Sequence, residues 1–489
     1  MQFNSLDFLL FFPLVTLLYF LIPQRVRYLF LLAASYYFYM CWNAKYALLM
    51  LLSTVITYFS GLLIRRAASQ RRKKLWVALS FASNLAILCV FKYLGFLLNG
   101  LTRVLALVGV TLHAPAVDLL LPVGISFYTF QALSYTADVY RGDVAAEPNF
   151  FRYALFVSFF PQLVAGPIER SGRLLDQLRT ARRFDWLRAR AGLLRMGYGF
   201  FQKMVIADRL AMLVDTVYNH PAGQSGSAVA LATVLFCFQI YCDFGGYSNI
   251  AIGAARVLGV ELTENFRQPF LAVSIQDFWR RWHISLSSWF RDYLYIPLGG
   301  SRKGKARAVL NTMAVFLLSG LWHGAAWHFV FWGGLHGVYL ALRRVTLPAR
   351  EKLRRRLCIS EDNPLHRLCA WAFTFVLVAF AFLFFRADTV TTAAGLVRTM
   401  FFDFRPGALA GEALFSLGLD RPDFIVALLS LSVLIAVDLL RERLDLGAAI
   451  ERQSLLVRWP LYLLLLFSVL IFGIYGPGYD AGSFIYFAF

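Results

Sequence analysis

Apolar runs recur along almost the whole chain, and their lengths are the first clue to its architecture. A helix needs about 20 mostly apolar residues to cross about 30 Å of hydrocarbon. On that measure spans are predicted at about 5–23, 27–43, 46–64, 75–98, 119–140, 192–216, 227–258, 308–342 (two passes), 366–386, 424–440 and 458–476. The stretches 150–168 and 274–300 are apolar but interrupted, and are expected to be re-entrant or interfacial. Irregular backbone is tolerated at that depth where protein buries it. The loop 387–423, with Pro406, Gly407, Gly411 and Pro422, is expected to fold over the outer face. No repeat of solenoid period is visible, nor two matching halves with broken helices of the kind many transporters show. The pattern predicts an all-α polytopic membrane protein: one integral membrane domain over 1–489, with an aromatic C-terminal tail at 477–489.

Composition agrees. Apolar residues make up 59% and charged residues 16%, against about 25% charged in a soluble domain. The net charge of +20 would raise nucleic-acid binding in a soluble protein. No nucleic-acid module is visible, and the basic residues cluster in short loops between apolar runs. Those loops hold Arg65 to Lys74, Arg170 to Arg190, Arg302 to Arg307 and Arg343 to Arg356. By the positive-inside rule all four are expected to be cytoplasmic, and counting crossings puts both termini outside. Membrane lipids and an anionic donor are the expected partners of these charges. Phe8 to Ile22 is expected to be a retained span rather than a cleaved signal, because neither a basic leader nor a small-residue cleavage site flanks it. Cys41, Cys89, Cys237, Cys242, Cys358 and Cys369 form no metal or redox spacing and read as small buried residues.

Ionisable residues within spans are costly and mark functional candidates. The densest polar set lies between 238 and 336. His323, in Ser319–Gly–Leu–Trp322–His–Gly324, sits in an apolar run flanked by small residues. It can serve as general base toward an acceptor hydroxyl, or as a hydrogen-bonded tie between helices. His283 lies among Trp279, Trp282 and Trp289, with Ser285, Ser287 and Ser288 following. It can orient an acceptor or a leaving thiolate, or be an interfacial histidine in an aromatic belt. His328 and His336 lack the spacing and carboxylate of a metal pair and read as structural. His113, His220 and His366 lie near loops. Asp292, beside Arg291, reads as an internal ion pair. The nucleophile elbow, the phosphate-binding loop and the dinucleotide fingerprint are all missing. The tail Pro477 to Phe489 is aromatic, with Ser483 and Tyr486 as its hydroxyls. It is expected to tuck into apolar surroundings or to anchor at the bilayer interface.

At these residues the sequence resembles the membrane-bound O-acyltransferase (MBOAT) family, in its bacterial branch that O-acetylates alginate, peptidoglycan and exopolysaccharides. The likeness runs through Met1–Gln–Phe–Asn–Ser–Leu–Asp–Phe–Leu9, Pro122 to Gln131, Phe160 to Glu169, Asp277 to Gly300, Ser319 to Gly324 and Phe484 to Phe489. It implies a ring of about ten to twelve transmembrane helices with re-entrant or interfacial helices around a central funnel. It also implies that His323 is catalytic with His283 as partner, and that Tyr486 is an acyl relay. Trp322, Asp243, Tyr247, Asp277, Trp282 and Ser285 would line or support the site. The donor would be cytoplasmic acetyl-CoA, with no permanently bound cofactor and no metal. An SGNH-type extracytoplasmic acetyltransferase would pass the acyl group to a polysaccharide, with the chain in the bacterial inner membrane. Gly245 and Asn249 stand where the family usually has a serine and an aspartate, and Arg267 where asparagine is commoner.

Read as chemistry, the donor's phosphates would meet Arg302, Lys303 and Lys305. His323 would deprotonate the acceptor hydroxyl and His283 would help hold the thioester or its oxyanion. Two other readings stay open. One is D-alanyl transfer to teichoic acid from a carrier protein. The other is a transporter of glycan or lipid without catalysis.

Overall fold

The computed structural model describes residues 1–110, 121–180, 182–360, 362–476 and 484–485. Among them the only regular structure is helical, as the apolar pattern predicts. Backbone contacts divide the chain into two compact units.

The first unit comprises Met1–Met196 and Ser248–Thr263, with Phe484 and Ile485. Its helices are α1 (Leu6–Leu21), α2 (Arg27–Met40), α3 (Ala44–Arg66), α4 (Gln70–Leu88), α5 (Leu94–Leu107), α6 (Ile125–Arg141), α7 (Phe150–Ser158), α8 (Phe160–Leu163), α9 (Ser171–Arg179) and the start of α10 (Trp186–Phe200). Polar side chains set several starts. Ser5, Asn43, Ser69 and Asn149 each accept a first-turn N–H, at 3.3, 3.0, 3.3 and 3.0 Å, the usual capping role. In α1 the stripe Leu6, Leu10, Leu14, Leu17 and Leu21 is exposed, while Phe8, Phe11, Phe12, Val15 and Tyr19 are buried. A helix apolar on both faces belongs between protein and lipid. Helix α6 is buried from Ile125 to Val139. Its polar groups find partners inside: Gln131 donates to the Phe156 carbonyl at 2.5 Å and Ser171 to Asp138 at 2.8 Å. Glu147, fully buried, is held by Arg179 at 2.6 Å and Arg152 at 3.5 Å. The interrupted stretch expected at 150–168 is indeed broken, between α7 and α8.

The second unit comprises Gly197–Tyr247 and, among the described residues, 264–476. It holds α11 (Asp208–Asn219), most of α12 (Gly226–Val257), α13 (Ile275–Arg281), α14 (Ile284–Phe290), α15 (Lys305–His323), α16 (Trp327–Arg356), α17 (Pro364–Arg386), α18 (Val390–Phe402), α19 (Glu412–Phe415), α20 (Arg421–Arg441), α21 (Leu446–Glu451) and α22 (Leu455–Phe472). A seven-residue π-helical segment, Phe201–Ala207, precedes α11. The run expected to make two passes within 308–342 forms two helices, α15 and α16, joined by Gly324, Ala325 and Ala326. Glycine makes their close crossing possible. A Cβ on Gly320 would strike the Phe329 carbonyl oxygen, and one on Gly333 the Phe316 carbonyl oxygen. The expected loop 387–423 needs correction: it contains the 13-residue helix α18, capped by Thr389 on the Thr392 N–H at 3.0 Å. It was missed because it is too short to span and opens on threonines.

Among the described residues six helices are long and apolar enough to cross a membrane by themselves: α3, the continuous Gln70–Leu107, α12, α17, α20 and α22. Several other predicted spans, among them 192–216, contain π-helical turns or polar residues.

Candidate active site

The site forms in the second unit where α13 and α14 meet α15. Between α13 and α14 the chain turns at Trp282 and His283, and His283 adopts the left-handed conformation at φ +44°. That region is uncommon for a residue with a side chain and often marks a functional constraint. The loop after α12 holds the turn from outside. The Arg267 N–H donates to the Arg281 carbonyl at 2.9 Å, and the Ile284 N–H to the Asn265 carbonyl at 2.9 Å. These two bonds bring Asn265 beside His283 although 18 residues separate them.

The Asn265 side chain then gathers three contacts on one oxygen. Oδ1 lies 3.0 Å from His283 Nδ1, and accepts from the Ser285 hydroxyl at 2.9 Å and the Ser285 N–H at 3.3 Å. Around the ring stand Phe244 at 4.7 Å, Trp322 at 6.1 Å and Phe266 at 6.3 Å between centroids. His323, the last residue of α15, places its ring centroid 6.3 Å from that of His283. Its other neighbours are Trp322 and Trp332, each at 5.0 Å, and Phe385 at 5.5 Å. His283 is 0% and His323 3% exposed, so both imidazoles sit where water is scarce and hydrogen bonds are strong.

The other sequence-derived residues fall in different places. Trp322, Trp282 and Ser285 are buried within this aromatic shell, with Trp282 against Phe266 at 5.0 Å and Phe382 at 5.2 Å. Asp243 turns to Lys203 at 2.6 Å, and Lys203 also meets Asp208 at 2.8 Å, a buried triad beside the site. Tyr247 is buried one turn further along α12. Asp277 is taken up by Arg281 at 3.1 Å rather than by either histidine. Arg281 in turn makes two 2.8 Å bonds to Glu442, whose carboxyl this contact holds below its ordinary value. Arg302, Lys303 and Lys305 are exposed. Of the remaining histidines, His336 accepts the Trp279 indole N–H at 3.2 Å and His328 meets the Ala387 carbonyl. His220 and His366 are exposed. Asp292 pairs with Arg291 at 2.7 Å, as its adjacency suggests. His113, Ser483 and Tyr486 lie outside the described residues, while Phe484 is buried. Among the described residues no group of three or more His, Cys, Asp or Glu is placed to hold a metal ion.

A cavity of about 430 Å³ opens along α13 to α16, the size of a small-ligand site. Its apolar wall includes Trp279, Leu286, Phe290 and Phe316, and Ser319 lies one turn before His323. Its basic groups are Arg291, Arg343 and Arg344, not the Arg302 to Lys305 run. The sequence marked the two histidines but missed Asn265 and this arginine set. Asn265 stood in a polar segment with no visible target. Arg343 and Arg344 read only as loop charges, and Arg291 as the ion-pair partner of Asp292.

The features so far define a helical, multi-pass membrane protein with a buried histidine pair beside a cavity that is basic at some points and apolar at others. Comparison with known sequences gives the class a name. A sequence model described as "MBOAT, membrane-bound O-acyltransferase family" matches residues 143–386. The probable alginate O-acetylase AlgI of Pseudomonas putida is 40% identical over 407 residues, covering 82% of this chain and 80% of that protein. The peptidoglycan O-acetyltransferase of Helicobacter pylori is 34% identical over 423 residues, covering 81% and 77%. The teichoic acid D-alanyltransferase of Bacillus subtilis is 29% identical over 289 residues, covering 56% and 70%. The chain belongs to the membrane-bound O-acyltransferase family and is an O-acyltransferase.

Proposed function

We propose that this protein moves an acetyl group from cytoplasmic acetyl-CoA across the bacterial inner membrane for O-acetylation of a secreted or cell-surface polysaccharide. The observation that carries the reading is the His283–His323 pair, 6.3 Å apart between ring centroids and enclosed by aromatic side chains. The names of the alginate and peptidoglycan relatives support acetyl as the group. Tyr486 is the proposed first acceptor, and an SGNH-type acetyltransferase outside the membrane the proposed recipient. The donor's pantetheine arm suits the apolar length of the cavity, with its phosphates at Arg343, Arg344 and Arg291. In the step itself the hydroxyl oxygen attacks the thioester carbon, a C–O bond forms and the C–S bond breaks. His323 takes the hydroxyl proton and returns it to the departing thiolate, so CoA leaves as the thiol. A phenol with a reference pKa near 10 needs such a base.

Purified protein incubated with radiolabelled acetyl-CoA tests the reading. Label is expected on the tail in the wild type and absent in Tyr486→Phe, with the fold retained. Label on Ser483 instead removes Tyr486 as the relay. Label taken only from a D-alanyl carrier protein favours the teichoic acid reading.

A further inference from the structure

We infer that Asn265 is a positioning residue that fixes His283 as the Nδ1–H tautomer, so that Nε2 presents a lone pair, not an N–H, beside His323. The inference deepens the acyl-transfer reading above and rests on it for its functional consequence. Its geometric half stands alone.

One group beside Asn265 has a fixed hydrogen-bonding role. The backbone N–H of Ser285 can only donate, and it faces Asn265 Oδ1 at 3.3 Å. That end of the amide is therefore the oxygen, since the NH₂ end would set donor against donor. The Ser285 hydroxyl at 2.9 Å fits the same assignment. An amide oxygen accepts and cannot donate. With His283 Nδ1 at 3.0 Å from it, the hydrogen must be on Nδ1. A neutral imidazole with Nδ1–H carries its lone pair on Nε2. The Ile284 N–H to Asn265 carbonyl bond at 2.9 Å anchors the amide's own backbone, so side chain and main chain hold His283 together.

The consequence is chemical. A neutral His283 in this tautomer accepts a hydrogen bond at Nε2 and has no N–H there to offer an oxyanion. Its part in acyl transfer is then that of a hydrogen-bond acceptor beside His323, which alone takes the hydroxyl proton. This replaces the oxyanion-holding role that the sequence suggested. Asn265 touches no reacting atom; it acts only through His283.

Nitrogen NMR of the full-length protein, labelled with ¹⁵N-histidine in lipid nanodiscs, reads the tautomer directly. The His283 signals are assigned by their loss in His283→Gln. The wild type is expected to show His283 protonated at Nδ1 and bare at Nε2. Asn265→Leu is expected to release the other tautomer and to slow acyl transfer about 100-fold or more, the range of a positioned acid–base group. Asn265→Asp keeps an oxygen acceptor and is expected to retain the tautomer and most of the turnover. Wild-type His283 protonated at Nε2 overturns the assignment, as does Asn265→Leu with unchanged tautomer and rate. Should the leucine variant fail to fold, the wild-type spectrum and Asn265→Asp still decide. The spectrum needs no acyl donor. Failure of transfer from acetyl-CoA would therefore count against the donor reading alone, with the Asn265 assignment decided by the tautomer.

Discussion

The cost of burying charge determines what Lys203 can be replaced by. Its ammonium lies between Asp208 at 2.8 Å and Asp243 at 2.6 Å, and all three side chains are nearly inaccessible. Removing one partner from a buried ion pair costs about 3–5 kcal/mol, because the remaining charge stays buried. Lys203→Met, which keeps the volume, takes the ammonium from two buried carboxylates and is expected to lower stability by about that amount. Thermal unfolding in detergent measures it, and an unchanged midpoint would show the triad carries no such role. The residue scale is also where the sequence was read least evenly. His323 and His283 stood out because an imidazole in an apolar run is costly and therefore noticeable. Asp243 was noticed for the same reason. Lys203 and Asn265 were not given roles, since Lys203 meets Asp243 and Asn265 meets His283 only when segments 40 and 18 residues away fold against them.

At the scale of elements, α15 and α16 illustrate how a membrane protein packs without a hydrophobic drive between helices. Lipid is as apolar as leucine, so close van der Waals approach of small residues takes over. Two adjacent glycines on α16 make the point separable. A Cβ on Gly333 meets the Phe316 carbonyl oxygen of α15, whereas one on Gly334 would sit 3.5 Å from a Leu317 methyl, an ordinary contact. Gly333→Ala is expected to destabilise by about 1–3 kcal/mol, the usual range for overpacking. Gly334→Ala is expected to be tolerated. Equal unfolding midpoints for the two variants would contradict this account of the crossing. The division of this run into two helices was readable in advance, because the apolar run was too long for one span. The α18 helix was not, because thirteen residues fall below any spanning length.

For the whole molecule, exposed apolar surface means lipid rather than water. The apolar window of α22 is 0% buried while that of α12 is 78% buried. Hydropathy alone gives both as spans and cannot distinguish a lipid-facing helix from a central one. The same limit applies to the cavity along α13 to α16. Composition revealed where positive charge gathers along the chain, but three-dimensional packing selected Arg291, Arg343 and Arg344 from it.

The proposed acyl transfer has His323 at its centre. The direct test is release of CoA thiol from acetyl-CoA by purified protein in nanodiscs, comparing wild type with His323→Ala at equal amounts of folded protein. The account predicts that the variant loses turnover by about 100-fold or more, the contribution of a positioned general base. A His323→Ala variant that releases CoA at the wild-type rate would contradict it.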